Sequence, residues 1–385
     1  MDERACPPSR SVHRGRSSPA ARGTVRRRFS AACLVLLPLF CATAPFALAE
    51  EAPSVSTAPV EVGEAPILSV GPLEYRPGRG LRLGETGLLV GGFSTVKAET
   101  TPSGGPEFAL DNLNFFLIFD RYTRFRAVAE LQLKDVFVAT DEQAGAQDFA
   151  FDVRRLFGDF LIADELHVRA GTFLTPVGYW NLILAPPLTW TTEAPIIVEE
   201  TFFQQTTTGV MLHGLTPVLE GQLGYSLFSQ FLDPIADDPD LQPPDYTAGA
   251  RITYETAPRW SAGATYQAAD VDGAWSQLGA FHLLWQPTRG EILSELYFQE
   301  GDESSFSQWG LYAQGVFEVY APFYVVGRYE HYDPPERNPP INLFTLGGVW
   351  KPFPFMAVKA EYRFADEHLD EEDFQGFFAS FTTFF

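Results

Sequence analysis

The sequence predicts an all-β protein, a transmembrane antiparallel β-barrel of about sixteen strands. Three observations carry that expectation. The chain opens on an export leader, polar and apolar residues alternate with period two in segment after segment, and the last residues read "FQGFFASFTTFF". A soluble domain frays at its terminus, so aromatic surface of that kind needs something to cover it.

Composition narrows the class first. The 385 residues are 45% hydrophobic and 14% aromatic, with 34 Phe, yet the formal net charge is -22. Beyond the first fifty residues no apolar run approaches the roughly 18 to 20 residues of a membrane helix, so helical membrane folds are excluded. The acidic balance would repel phosphates and argues against a nucleic-acid partner.

The leader comes next in chain order. "RGTVRRRFS" is a basic segment, "AACLVLLPLFCATAPFA" an apolar one, and Ala47 to Ala49 supplies the small residues of a cleavage site, so residues 1–49 are expected to be a signal peptide cut after Ala49. Its length leaves open a start codon downstream of Met1. Cys6, Cys33 and Cys41 all lie in this leader, so the mature chain is expected to have no thiol, disulfide or cysteine metal ligand. Residues 50–82 are rich in Pro and acidic residues, lack a regular period and read as a flexible periplasmic extension.

From residue 83 to 385 the period is two. In "FMAVKAEYRFA", Lys359, Glu361 and Arg363 share a face with Ala357, while Met356, Val358, Ala360, Tyr362 and Phe364 share the other. "RFRAVAELQLK" and "SQWGLYAQGVFEV" behave the same way. Sixteen such segments fall at about 83–96, 109–120, 124–138, 148–161, 165–173, 206–214, 217–230, 246–256, 259–269, 273–286, 289–300, 305–320, 322–332, 341–351, 355–365 and 373–385. Any one of them would suit a soluble sandwich; their number does not. Long or polar connections follow odd strands and tight turns follow even ones, the layout of an outer-membrane barrel with both termini at its periplasmic end. An even count closes the sheet, and this size leaves an aqueous channel. On the last strand Phe377, Phe381 and Phe385 share one parity and are expected to face lipid. A terminal Phe resembles the signal read by the barrel-assembly machinery of bacterial outer-membrane proteins, which assigns that role to Phe385.

The third long loop, Leu174 to Gln205, breaks the rhythm. Its approach, "HVRAGTFLTPVGYWN", resembles the motif of phosphate-selective-porin-like and related sixteen-stranded outer-membrane porins through Gly171, Phe173, Pro176, Gly178 and Asn181. The resemblance is specific over about fifteen residues and loose over the rest of the barrel. It implies a loop folded inside the barrel and a passive channel for small polar or charged solutes, narrowed by that loop. It also implies a homotrimer in outer-membrane lipid and lipopolysaccharide. The residues agree: the loop is too long for a connector, and "NLILAPPLTW" is too apolar for water. A lid outside the barrel or a subunit contact is the alternative.

By parity, the basic lumen candidates include Arg126, Lys134, Arg154, Arg169, Arg328, Lys359 and Arg363, interleaved with carboxylates, and the loop adds Glu193, Glu199 and Glu200. A dedicated anion path would want a cleaner basic ladder. The expectation is therefore a transverse field, with Arg126, Arg154 and Arg169 facing the loop's carboxylates in a general or mildly cation-preferring channel. These charges as salt bridges bracing the wall, an anion or phosphate-selective channel, and a plugged barrel for a specific solute remain alternatives. No HExxH or paired histidine spacing marks a metal site and no GxSxG marks a nucleophile, so neither catalytic, metal nor cofactor residues are assigned, with a spatial triad left open.

Overall fold

The computed structural model describes residues 68–102, 105–141, 144–145, 150–199, 202–233, 235, 243–256, 259–302, 307–335, 340–365 and 374–385. The leader with its cleavage site, residues 50–67 and Glu200 lie outside the described residues. Sixteen strands build the barrel. They are β1 (Leu88–Thr101), β2 (Gly105–Tyr122), β3 (Phe125–Thr140), β4 (Ala150–Ala163), β5 (Leu166–Leu174), β6 (Thr206–Val218), β7 (Gly221–Gln230) and β8 (Tyr246–Thr256), followed by β9 (Trp260–Val271), β10 (Ala274–Trp285), β11 (Gly290–Gly301), β12 (Ser307–Tyr320), β13 (Phe323–Asp333), β14 (Ile341–Phe353), β15 (Met356–Ala365) and β16 (Gly376–Phe384). Each pairs antiparallel with its sequence neighbours. The ring closes where β16 pairs with β1, from Phe377 opposite Thr100 to Phe384 opposite Phe93. Closure gives every strand two partners and leaves no edge, the condition for a sheet in hydrocarbon.

The two faces invert the arrangement of a soluble protein. Outward positions carry exposed apolar residues such as Leu227, Ile252, Phe281, Phe344, Leu346 and Phe364. Inward positions carry buried polar and charged ones, including Gln267, Gln314, Arg328, Glu330, Lys359, Glu361 and Arg363. Charged residues of this kind are almost never buried without partners. Here a segment inside the barrel supplies them.

The C-terminal aromatics divide between the two faces of the barrel. Phe377 and Phe381 point outward, and Phe378 between them is turned inward and 4% exposed. Phe385 exchanges two backbone hydrogen bonds with Gly92, of 2.9 and 3.0 Å. Its ring lies over Gly92, where an added Cβ would sit 2.6 Å from the ring, and packs edge-on against Phe115 at 5.9 Å.

Two features differ from the sequence expectation. Residues 68–82 of the segment read as a flexible extension, together with Leu83, which was expected to open the first barrel strand, form a ribbon of three short strands, Leu68–Val70, Leu73–Arg76 and Gly80–Leu83, the last pairing with β1. Their Gly residues at 71, 78 and 80 take positive φ and turn the chain tightly, a signal that Pro content masked. Second, not every connection at the loop end is long. β1 and β2 run on to 101 and 105, and β9 and β10 join through Asp272 and Gly273, both at positive φ, as a two-residue Asp-Gly hairpin requires.

Candidate functional site: a loop clamped across the lumen

The segment between β5 and β6, residues 175–205, folds into the barrel. Its root is tied shut by its own residues. Thr175 N–H donates to Gln205 O at 2.9 Å. The Asn181 amide donates to both Thr175 O (2.7 Å) and Gln205 O (3.1 Å), joining the two ends of the loop. The glycines of the motif have steric reasons. Gly171 has φ +124° and a Cβ there would lie 2.1 Å from Leu156 O; Gly178 has φ +63° and a Cβ there would lie 2.0 Å from the Tyr297 hydroxyl. Phe173 is fully buried and packs on Met211 and Phe228 inside the barrel, and Pro176 O accepts a hydrogen bond from Thr265 on β9.

Beyond the root the loop crosses to the far wall and is held there by packing and by charge. Val177, Tyr179, Trp180, Ile183, Ile196, Ile197, Val198, Phe202 and Phe203 share one buried apolar cluster with Leu278, Leu293, Tyr297, Tyr312, Tyr332 and Leu343 of the wall. Helix α1 (Ile196–Glu199) begins with the Ile196 N–H donating to Glu330 at 2.6 Å. Trp190 reaches toward the turn end of the barrel, where its indole N–H donates to Glu291 at 3.0 Å and the Lys351 ammonium lies 3.6 Å from its ring.

The wall charges read as pore-lining act largely on this loop's backbone. Lys359 is 1% exposed and donates to Pro186 O (2.8 Å), Thr189 Oγ1 (2.7 Å) and Thr191 O (2.9 Å). Arg328 reaches Thr191 Oγ1, Glu193 O and Ala194 O at 2.7 to 3.1 Å while pairing with Glu330 at 2.7 Å. Arg363 donates to Ala194 O, and Glu361 accepts from the N–H groups of Thr192 and Glu193. Glu295 accepts the N–H groups of Tyr179 and Trp180. Non-helical backbone at membrane depth needs such partners, because lipid and a narrow pore supply few.

The loop's carboxylates have nearer partners than the arginines that the expected transverse field paired with them. Glu193 pairs with Lys97 on β1 at 2.9 Å, and Glu199 lies 3.5 Å from Arg363. Arg126, Arg154 and Arg169 are not among the strongest charges acting on either carboxyl. Burial raises the Glu193 carboxyl, but Lys97 and Arg363 outweigh it and hold the group below the usual range. Burial pushes Glu199 up to about 7 against the pull of Arg363.

The wall formed by β3, β4 and β5 carries the other basic candidates. Arg169 pairs with Asp159 at 2.6 Å and lies within electrostatic reach of Arg126 and Arg155; Arg154 donates to Gln132 and to Gln205 at the loop root. Arg155 and Arg169 keep 26% and 23% of their side chains exposed, so this wall is accessible from the lumen. Lys134, half-buried, is further along β3. Sequence reading missed two members of the set. Arg155 points inward with Arg154 because the β3–β4 register shifts at Glu130 and Leu131, and a bulge breaks parity. Lys97 fell outside because β1 was expected to end at residue 96.

A closed sixteen-stranded barrel with an apolar outside, a polar inside and a long loop turned into the lumen has the porin fold. Comparison with solved structures agrees. The barrel is similar to the anion-selective porin from Comamonas acidovorans (TM-score 0.54, 14% identity, 77% of this chain and 99% of that one). It is also similar to Salmonella typhi OmpF solved with daunomycin (0.54, 12%, 78% and 98%) and to OmpT, an outer-membrane protein of Vibrio cholerae (0.53, 9%, 83% and 100%). An uncharacterized protein of Aquifex aeolicus (strain VF5) is 23% identical over 361 residues, covering 78% of this chain and 80% of that protein. No family model matches the chain.

Proposed function

We propose that the protein is a bacterial outer-membrane porin, exported by its leader, through which small polar and charged solutes diffuse passively past the loop at 175–205. One observation carries the reading: the loop is clamped by Lys359, Arg328, Arg363, Glu330 and Glu361 against one side of the lumen, opposite a polar wall with accessible charges. A plug for a specific solute would need no such accessible wall. Phe385, hydrogen-bonded into β1 at the barrel seam, is the proposed assembly signal, and a trimer in outer-membrane lipid and lipopolysaccharide the proposed setting; one Vibrio cholerae OmpT structure is of a trimer form.

The charges also favour a sign. A cation preference rested on Glu193, Glu199 and Glu200, but Glu193 and Glu199 have basic partners on the wall; Arg155 and Arg169 are likewise paired, with Glu130 and Asp159, yet the inward face of β3–β5 carries Arg126, Lys134, Arg154, Arg155 and Arg169 against Glu130, Asp152 and Asp159, an excess of basic charge. We therefore favour a moderate preference for anions. Planar-bilayer recording of the purified protein under a salt gradient tests both parts. Ohmic steps with an anion-favouring reversal potential are expected. A cation-favouring potential would overturn the sign alone, and absence of conductance would overturn the channel.

A further inference from the structure

Sequence spacing offers no metal motif, because the residues concerned are brought together only by strand register. β5 and β6 place His167 directly opposite His213, and β4 and β5 place Asp159 opposite Arg169, two residues along. All three candidate ligands face the lumen near its turn end, on the parity of Phe157 and Met211, which pack inside the barrel. The two imidazoles stack with centroids 5.1 Å apart, and His213 Nε2 lies 3.0 Å from Asp159 Oδ1. Among the described residues, this is a group in which one donor atom from each side chain lies within 4.8 Å of the others. Ligands around a tetrahedral ion with bonds of about 2.1 Å are roughly 3.4 Å apart, so from a separation within 4.8 Å the His167 donor atom needs to close by at most about 1.4 Å.

We propose that Asp159, His167 and His213 form a binding site for a borderline divalent transition-metal ion, zinc(II) being the probe of choice. The neighbouring charges define the class. Arg169 holds the other carboxylate oxygen of Asp159 at 2.6 Å, which fixes how Oδ1 faces the imidazoles in the manner of an outer-shell partner. Arg126, opposite Asp159 on β3, adds a second positive charge. A hard cation bound by electrostatics alone, such as calcium or magnesium, wants several oxygens and would be repelled here. Imidazole nitrogens with one carboxylate instead suit zinc, copper or nickel, and leave a coordination position open to the lumen.

The site does not depend on whether the barrel conducts, because binding is read directly. Isothermal titration of the folded full-length mature protein in detergent with zinc, in excess calcium and magnesium, is expected to give one ion per chain. His167→Ala and His213→Ala should each weaken binding by about tenfold or more. His331→Ala, whose ring contacts Asn342 near the opposite end, should leave it unchanged. A second measurement on the unaltered protein guards against variants that do not fold: zinc should protect His167 and His213, but not His331, from diethylpyrocarbonate. No zinc uptake, uptake unchanged without both histidines, or equal labelling with and without zinc would overturn the proposal.

Discussion

Replacing Lys359 by Met tests whether the loop is held by the wall. The two side chains are similar in length, so the inner face of β15 keeps its packing while the ammonium disappears. Three hydrogen bonds go with it, to Pro186 O, Thr189 Oγ1 and Thr191 O, all between 2.7 and 2.9 Å. At roughly 1.5 to 3 kcal/mol for each bond to a charged donor, the gross loss is about 4 to 9 kcal/mol. Relief of a buried ammonium returns several kcal/mol of it. The net loosening is therefore about 2 to 4 kcal/mol, or roughly 30- to 1,000-fold in the docking equilibrium of the loop. Because Arg328, Glu330 and Glu361 still hold the neighbouring backbone, the expected result is brief excursions rather than a lost loop. Single-channel recording should show added open-channel noise and larger transient steps. A lock supplies the control: the Thr192 and Ser380 hydroxyls are 2.9 Å apart, and the natural cysteines all precede residue 50. Thr192→Cys with Ser380→Cys should quieten the Lys359→Met channel until a reductant is added. Noise identical to the parent, and indifferent to the lock, would refute the clamp.

Two other outcomes follow from the loop itself. Gly178→Ala puts a Cβ at positive φ and 2.0 Å from the Tyr297 hydroxyl, so it should cost about 1 to 3 kcal/mol and displace Tyr179 and Trp180 from Glu295; faster limited proteolysis within 175–205, with barrel strands intact by circular dichroism, checks it. Glu199, with its carboxyl near 7 rather than 4.5, binds its proton more tightly in the docked loop than when released. Docking should therefore strengthen as pH falls from about 7 toward 4.5 and weaken as it rises through that window, so open-channel noise should be lower at pH 5 than at pH 8, and Glu199→Gln should remove the difference.

The barrel was legible because period two is a property of each strand alone. Lys359, Glu361 and Arg363 could be assigned to one face without knowing any neighbour, and sixteen repetitions of that pattern then required closure. The loop root was legible only through its resemblance to the porin motif: Gly171 and Gly178 take positive φ, but the Leu156 carbonyl and Tyr297 hydroxyl they make room for lie on other strands, and Asn181 reaches Gln205 across the loop. What each lumen charge touches was not legible. Parity says that Arg328 faces inward, but only the path of residues 186–199 says that it meets Thr191, Glu193 and Ala194 rather than a solute. Asp159, His167 and His213 are separated by up to 54 residues and meet only through register. Arg155 escaped because a single bulge reverses parity from that point.

The same distinction separates charges that hold the channel's shape from those that set its selectivity. Arg328, Lys359 and Arg363 are almost completely buried beneath the loop, so an ion in the lumen feels them through intervening backbone and through their carboxylate neighbours. Arg126 and Lys134 lie on the accessible β3 face, with Glu130 between them, Asp159 opposite Arg126, and the arginines of β4 and β5 beyond. Neutralising the two groups should therefore have opposite signatures. Arg126→Gln with Lys134→Gln should shift the reversal potential toward cations while leaving open-channel noise at the parental level. Arg363→Gln should raise the noise, through loss of Ala194 O and Glu199, with a smaller change in reversal potential. If instead Arg363→Gln moves the potential as far as the β3 pair does, the buried cations are felt by permeating ions, and the lumen is wetter beneath the loop than its clamped backbone implies.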